Sequence, residues 1–202
     1  MNITTVVLDF GGVLVRTADR SSRQKWEREL GLNDNQLDDI VFGSEIARLA
    51  TIGKAKMEDI WLNVQKELSL SDTQLEELLI DFWVNDQLDQ CLIKAFVALR
   101  PNFRTAILSN IWTGGRQYFQ DKFGIKEGLT ADRIFVSCEM GLAKPDPEIY
   151  QVMANELDVQ LTEIFFVDDF IENIDVAKTL GMHTHLFTNP PEVIYLLNRM
   201  VF

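Results

Sequence analysis

Basic residues are scarce in this sequence: 19 Lys and Arg against 31 Asp and Glu leave a formal charge of -12. So acidic a chain repels nucleic acid and anionic membranes, and neither is expected as a partner. Cysteine is scarcer still. Cys91 and Cys138 are too few for a disulfide framework, and both stand in apolar stretches, where buried, reduced thiols of a cytoplasmic protein are expected. No apolar run approaches the roughly 20 residues that cross a bilayer. The apolar stretch near the N-terminus is broken by Asp9 and has no basic segment before it, so it does not read as a secretion signal. Internal repeats and low-complexity tracts are also lacking.

What is there is enough apolar material for a full core: 47% of 202 residues, the content of one domain with a modest insertion. Thr4 to Leu8 is β-branched and apolar without alternation, the pattern of a strand buried on both faces. It runs directly into Asp9-Phe10-Gly11-Gly12. A parallel strand that ends in a carboxylate presents it at the carboxyl edge of a sheet, where open α/β folds bind ligands. Alone, Asp9 reads equally well as a turn residue beside flexible glycines.

Between Arg16 and Asp89 the pattern turns helical, with almost no strand signal. Asn33-x-x-Gln36 and Ser71-x-x-Gln74 resemble capping boxes. Ile60, Trp61, Val64 and Leu68 share one helical face, as do Leu75, Leu78, Leu79 and Phe82. Gly31, Gly43 and Gly53 fall where helices would stop. Residues 16–89 are expected to form a small helical bundle inserted over the carboxyl edge, with residues 1–15 and 90–202 as the core. From Cys91 onward strands and helices alternate, the pattern of a parallel sheet with crossover helices. Strands are predicted at Arg104–Leu108, Arg133–Ser137, Glu163–Val167 and His183–Phe187. Helices are predicted at Leu92–Arg100, Gln117–Phe123, Glu148–Leu157, Asn173–Leu180 and from Pro190 on. The predicted fold class is α/β: a Rossmann-like three-layer core with an inserted helical bundle.

The strand ends collect a coherent chemistry: Asp9, then Ser109, then Lys144 in the following loop, then Asp168-Asp169. Converging carboxylates require a counter-charge, and a hard divalent cation such as Mg²⁺ takes oxygen ligands. A cation, a lysine and a hydroxyl complement a phosphoryl group, whose transfer is helped by charge neutralisation and positioning. An aspartate beside that group can attack it. Taken singly, Lys144 reads as a surface lysine and Asp168-Asp169 as a helix cap.

The chain resembles the haloacid dehalogenase-like hydrolase superfamily, in the branch with a helical cap after the first strand. Leu8-Asp9-Phe10-Gly11-Gly12-Val13-Leu14 matches the first motif of that family and Leu108-Ser109-Asn110 its second. Glu139-x-Gly141-x-x-Lys144-Pro145-Asp146-Pro147-x-Ile149-Tyr150 matches the third, and Phe166-Val167-Asp168-Asp169, with Asn173 and Leu180-Gly181, the fourth. The resemblance implies a Rossmann-like sheet and a Mg²⁺-dependent phosphatase of small phosphorylated metabolites, monomeric or homodimeric. Sugar-phosphate phosphatases and the phosphatase domain of epoxide hydrolases look nearest. It implies Asp9 as nucleophile and metal ligand, Ser109 as a phosphate-oxygen donor and Lys144 as the neutralising cation. Asp169 would ligate the metal, with Asp168 as a second acidic ligand or water anchor and Gly11 contributing its backbone carbonyl. Gly12 and Asn110, inside the first two motifs, would join Ser109 and Lys144 in substrate binding.

One position departs from the family. Most of its phosphatases carry a second aspartate two residues after the nucleophile, as acid to the leaving group, and Gly11 stands there. Proton delivery of that kind contributes about 10²–10⁴-fold. Two other readings therefore stay open: a 2-haloacid dehalogenase, which also lacks that aspartate, and a catalytically weak regulatory or binding member of the family. Asp168-Asp169 argues against the dehalogenase, since the pair would repel a carboxylate substrate. Arg16 is open between an anion contact and a solvated hinge residue, and Trp112 between pocket lining and core. His183 and His185 share a strand face without an evident third metal ligand.

Overall fold

The structure is a computed structural model that describes residues 3–201; positions 1, 2 and 202 of the expected core lie outside it. Five parallel strands form the main sheet: β1 (Thr5–Leu8), β4 (Arg104–Ser109), β5 (Arg133–Val136), β6 (Ile164–Asp168) and β7 (His183–Leu186), in the order β5-β4-β1-β6-β7. β1 is central and fully buried, as its unbroken apolar run requires. From β1 the chain builds outward through β4 and β5 on one side, then through β6 and β7 on the other. β1 therefore marks the reversal of strand order, beside which α/β sheets bind ligands.

Alternate residues of the strands face two helical layers. Val6 and Leu8 of β1, with Phe165 and Val167 of β6, pack with α6 (Gln90–Ala98), α7 (Gly115–Phe123) and α11 (Pro190–Val201). Val7, Ala106, Leu108 and Phe166 face α9 (Pro147–Leu157) and α10 (Ile171–Thr179). Helix on sheet on helix is the predicted α/β class, and the predicted elements appear with ends that coincide or shift by at most two residues.

Between β1 and α6 lie a two-stranded antiparallel ribbon, β2 (Val15–Thr17) with β3 (Asp86–Leu88), and five helices: α1 (Ser21–Leu30), α2 (Gln36–Gly43), α3 (Glu45–Thr51), α4 (Met57–Glu67) and α5 (Asp72–Trp83). These helices enclose their own apolar cluster, with Trp26, Val41, Ile60, Trp61, Val64, Leu78 and Phe82 buried. Trp112, from the loop after β4, is buried in the same cluster and lies against Phe42 and Trp83, so it is packed as core. Met57 N–H donates to Thr113 Oγ1 at 3.3 Å, and a Cβ on Gly53 would stand 2.4 Å from the Cys138 carbonyl oxygen. The helical insert thus rests on the loops that follow the carboxyl ends of β4 and β5.

Arg16 joins the two passages between insert and sheet. Its guanidinium donates to the Val13 carbonyl and pairs with Asp89 at 2.6 Å. The other oxygen of Asp89 caps α6 through the Cys91 and Leu92 N–H groups. The anion-contact reading of Arg16 gives way to a hinge residue engaged on both sides.

Several local expectations need correction. Cys91 is exposed and Cys138 half-buried, and both are free; in α6 the buried face is Leu92, Ile93 and Phe96, which turns Cys91 outward. Ser71 and Gln74 do form a capping box on α5. Asn33 and Gln36 do not cap α2: Gln36 Oε1 accepts from Asn33 N–H, but the helix begins only at Gln36, behind Asn35 in a left-handed conformation. Gly43 ends α2 without a left-handed turn, because Ser44 caps α3 directly by accepting from Ala47 N–H. The ribbon β2–β3 has no local signature, since three-residue strands are too short to show alternation. Finally, Ser137 is not strand: it opens the single turn α8 (Ser137–Met140). Among the described residues no helix is long and apolar enough to cross a membrane.

Candidate active site

Asp9 leaves β1 with its N–H donated to the Val167 carbonyl of β6 at 2.9 Å, which places it directly beside Asp168 and Asp169. Its carboxylate accepts the Phe10 N–H at 2.6 Å and pairs with Lys144 Nζ at 2.8 Å. The same ammonium reaches Asp168 Oδ2 at 2.6 Å. Lys144 is thus bracketed by two carboxylates, with 1% of its side chain exposed. Burial works against its charge, yet the two aspartates outweigh burial and hold its pKa above the ordinary lysine value.

Asp168 is fully engaged. Oδ2 takes the lysine, while Oδ1 accepts from the Phe170 N–H and from Asn173 Nδ2, each at 2.9 Å. Asp169 is the opposite case: its Oδ1 is buried with no hydrogen-bond partner among the described residues. Burial, reinforced by Asp168, pushes Asp169 up to about 6. Asp9 is pushed up to about 7, chiefly by burial; Lys144 opposes this, and Asp168 and Asp169 add to it.

Oxygens of Asp9, Asp168 and Asp169 lie within 4.8 Å of one another. One ammonium cannot balance three ionised carboxylates, and a buried carboxylate oxygen with nothing to bond is costly. An all-oxygen donor set with an orphaned oxygen fits a hard divalent cation. Asp169 and Asp9 are better placed to ligate it than Asp168, whose oxygens are already occupied.

Ser109 ends β4, the strand beside β1. It is buried, and its hydroxyl makes no hydrogen bond among the described residues, so it is available to a ligand. Asn110 turns its side-chain amide onto the Lys144 backbone. Ser137 Oγ accepts the Ile111 N–H at 3.0 Å and donates to the Ile111 carbonyl at 3.2 Å, tying together the loops after β4 and β5. No sequence signal marks Ser137; it lies outside all four motifs. His185 Nε2 lies 3.8 Å from Glu192, away from the acidic cluster. Among the described residues, the group of three His, Cys, Asp or Glu side chains placed to share a cation is Asp9, Asp168 and Asp169.

The two glycines differ sharply. Gly12 has φ +79°, and a Cβ there would lie 2.1 Å from Asp169 Oδ2. It is the bare backbone against which the Asp169 carboxylate is seated. Gly11 has no positive φ and nothing within 4 Å of a Cβ. Gly12→Ala is accordingly expected to cost about 1–3 kcal/mol from backbone strain, and to displace the Asp169 carboxylate, weakening any divalent-cation binding there. Gly11→Ala should stay within about 0.5 kcal/mol of wild type. Urea unfolding and calorimetric Mg²⁺ titration of the two variants check the contrast.

The model of the haloacid dehalogenase-like hydrolase family matches residues 3–181. The D-ribitol-5-phosphate phosphatase of Bacteroides thetaiotaomicron is 26% identical over 193 residues, 90% of either chain. Bifunctional epoxide hydrolase 2 of Mus musculus is 29% identical over 112 residues, 54% of this chain but only 20% of its own length. Among solved structures, a predicted HAD-like hydrolase of Porphyromonas gingivalis superposes with a TM-score of 0.77 at 22% identity, over 100% of this chain and 98% of its own. A Bacteroides thetaiotaomicron HAD-family enzyme in complex with magnesium and inorganic phosphate gives 0.75 at 20%, over 92% and 94%. At these identities the superpositions speak for the fold.

Proposed function

The chain belongs to the haloacid dehalogenase-like hydrolase family, and on that premise we propose that it is a Mg²⁺-dependent phosphatase of small phosphorylated metabolites, sugar phosphates among them. The observation that carries this reading is the convergence of Asp9, Lys144 and Asp169, with its orphaned oxygen, at the edge where Ser109 also ends a strand. The match to a ribitol-phosphate phosphatase over nine-tenths of both chains supports a polyol or sugar phosphate as substrate. Cytoplasmic placement and a monomeric or homodimeric state belong to the same proposal.

Asp9, Asp169 and the Gly11 carbonyl would hold Mg²⁺, with Asp168 anchoring Lys144. The bound cation would supply positive charge beside the phosphoryl oxygens. Asp9 attacks phosphorus, the ester P–O bond breaks, and the phosphoryl group resides on the Asp9 carboxylate. Ser109 donates its hydroxyl hydrogen to a non-bridging oxygen, and Lys144 neutralises the charge shared between Asp9 and the phosphoryl group. Water then attacks phosphorus and releases phosphate, restoring Asp9. The helical insert acts as a cap over the carboxyl edge, excluding bulk water and shaping the space for the organic part of the substrate.

The test is release of phosphate from p-nitrophenyl phosphate with and without Mg²⁺. Turnover that needs Mg²⁺ is expected; no turnover, or turnover indifferent to chelation, would overturn the reading. The raised values of Asp9 and Asp169 give it a second arm. Below about pH 6 both carboxylates hold protons that Mg²⁺ must displace, and above about pH 7 both are ionised. Half-saturation should therefore need more Mg²⁺ at about pH 6 than at about pH 8.

Gly11 shapes the rate law. With no carboxylic acid at this position, the leaving oxygen departs as an anion or takes its proton from water. Log kcat/KM should then fall steeply as leaving-group pKa rises. The open space around Gly11 admits an aspartate without strain, so Gly11→Asp is expected to flatten that slope. A shallow wild-type slope would mean that another group supplies the proton.

A further inference from the structure

Asn110 stands next to the hydroxyl assigned to phosphate, and its residue surface is exposed, so a substrate contact is the obvious reading. Its side chain is occupied otherwise. Nδ2 donates to the Lys144 carbonyl at 2.8 Å, and Oδ1 accepts the Lys144 N–H at 2.9 Å. One amide thus binds both backbone groups of a single residue, as a neighbouring strand would. Lys144 lies in the loop between α8 and α9, and its backbone N–H and carbonyl make no other hydrogen bond among the described residues. The turn around it is closed by the Asp146 N–H to Ala143 carbonyl bond at 2.9 Å, but only the Asn110 amide holds the Lys144 peptide groups themselves and ties them to the end of β4.

The starting point matters because the lysine stem is long and flexible. Nζ must meet Asp9 at 2.8 Å and Asp168 at 2.6 Å at once, in a site with almost no solvent. With a free backbone the main-chain torsions must be ordered as well as the four of the stem, whereas a fixed backbone leaves only the stem to be ordered. We infer that Asn110 is a positioning residue for Lys144, which ties the carboxyl end of β4 to the loop that carries the cation, and is not a substrate contact. The kinetic part rests on the phosphatase reading; the structural part does not. A misplacement of about 1 Å in such a group costs about 10²-fold in rate.

The experiment pairs kinetics with chemical labelling of intact wild type, Asn110→Ala and Asn110→Asp. Lysines are acetylated with limiting acetic anhydride and quantified by mass spectrometry, with exposed Lys54 and Lys66 as internal references. In wild type Lys144 should label far more slowly than either. In Asn110→Ala its labelling should rise severalfold while the references hold, and kcat for p-nitrophenyl phosphate should fall about 10²-fold with KM unchanged. Asn110→Asp keeps the acceptor for the Lys144 N–H and loses the donor to its carbonyl, so it should lie between. Unchanged Lys144 labelling, or a raised KM with kcat held, would overturn the inference and return Asn110 to the substrate. Should wild type hydrolyse no phosphate ester at all, the phosphatase reading fails, and the labelling of Lys144 alone decides the role of Asn110.

Discussion

Asp9→Asn is expected to abolish turnover, by on the order of 10⁴-fold or more, while the protein folds at least as well as wild type. Asparagine is nearly isosteric with aspartate, and its carbonyl oxygen can accept the hydrogen bonds from the Phe10 N–H and Lys144 that Asp9 accepts. What it cannot do is attack phosphorus. The stability side has a definite sign. Asp9 moves from about 3.8 in the unfolded chain to about 7 when buried. The folded state therefore binds the proton more tightly, and ionised Asp9 costs stability as pH rises from about 4 through about 7. A neutral amide removes that cost and relieves repulsion from Asp168 and Asp169. Thermal unfolding by circular dichroism at about pH 8 should give a Tm no lower than wild type. Residual phosphate release by a clean Asp9→Asn preparation, or a large loss of Tm, would contradict this.

Lys144→Met is expected to be as severe for activity and, unlike Asp9→Asn, severe for the fold. It removes the one ammonium that Asp9 and Asp168 share and leaves two buried carboxylates facing each other. Breaking a buried ion pair by deleting one partner costs about 3–5 kcal/mol. The loss should be greatest at about pH 8 and smaller at about pH 6, because without the lysine the carboxylates take up protons more readily. Lys144→Arg should not rescue activity, since a planar guanidinium does not fit between two carboxylates placed for a compact ammonium. Urea denaturation across that pH range, with activity on p-nitrophenyl phosphate, measures both effects. Full-strength folding of Lys144→Met at about pH 8 would mean the pair is not coupled as the distances indicate.

Much of this was legible in the sequence because the signals are local. The run from Thr4 to Leu8 is β-branched or apolar throughout, with no charge and no polar alternation, so a central strand is its natural place, and Asp9 then has to stand at the sheet edge. Ser109 and Asp168-Asp169 stand at the ends of apolar strands, which the parallel sheet brings together, and Lys144 lies in the loop between α8 and α9 beside them. The same logic accounts for the faces of α4 and α5, where period and burial agree.

What was not legible depends on partners far along the chain. Asn110 looks like one more polar residue of a motif until its amide is seen on the Lys144 backbone. Gly12 looks like a phosphate-loop glycine until the Asp169 carboxylate is seen against it. Cys91 and Trp112 both stand in apolar surroundings, but helix phase turns one outward while contacts from α2 and α5 bury the other. The ribbon β2–β3 exists because its two strands meet across the insert, not because either strand announces itself.

The most direct measurement is on Asp9 itself. Wild-type protein turning over p-nitrophenyl phosphate with Mg²⁺ is quenched in acid, reduced with borohydride and digested. A phosphoryl-aspartate is reduced to homoserine, which mass spectrometry detects as a shifted peptide. Homoserine at position 9 is the predicted result, requiring both substrate and Mg²⁺. Homoserine at another aspartate, or none at position 9 in protein that is releasing phosphate, would contradict it.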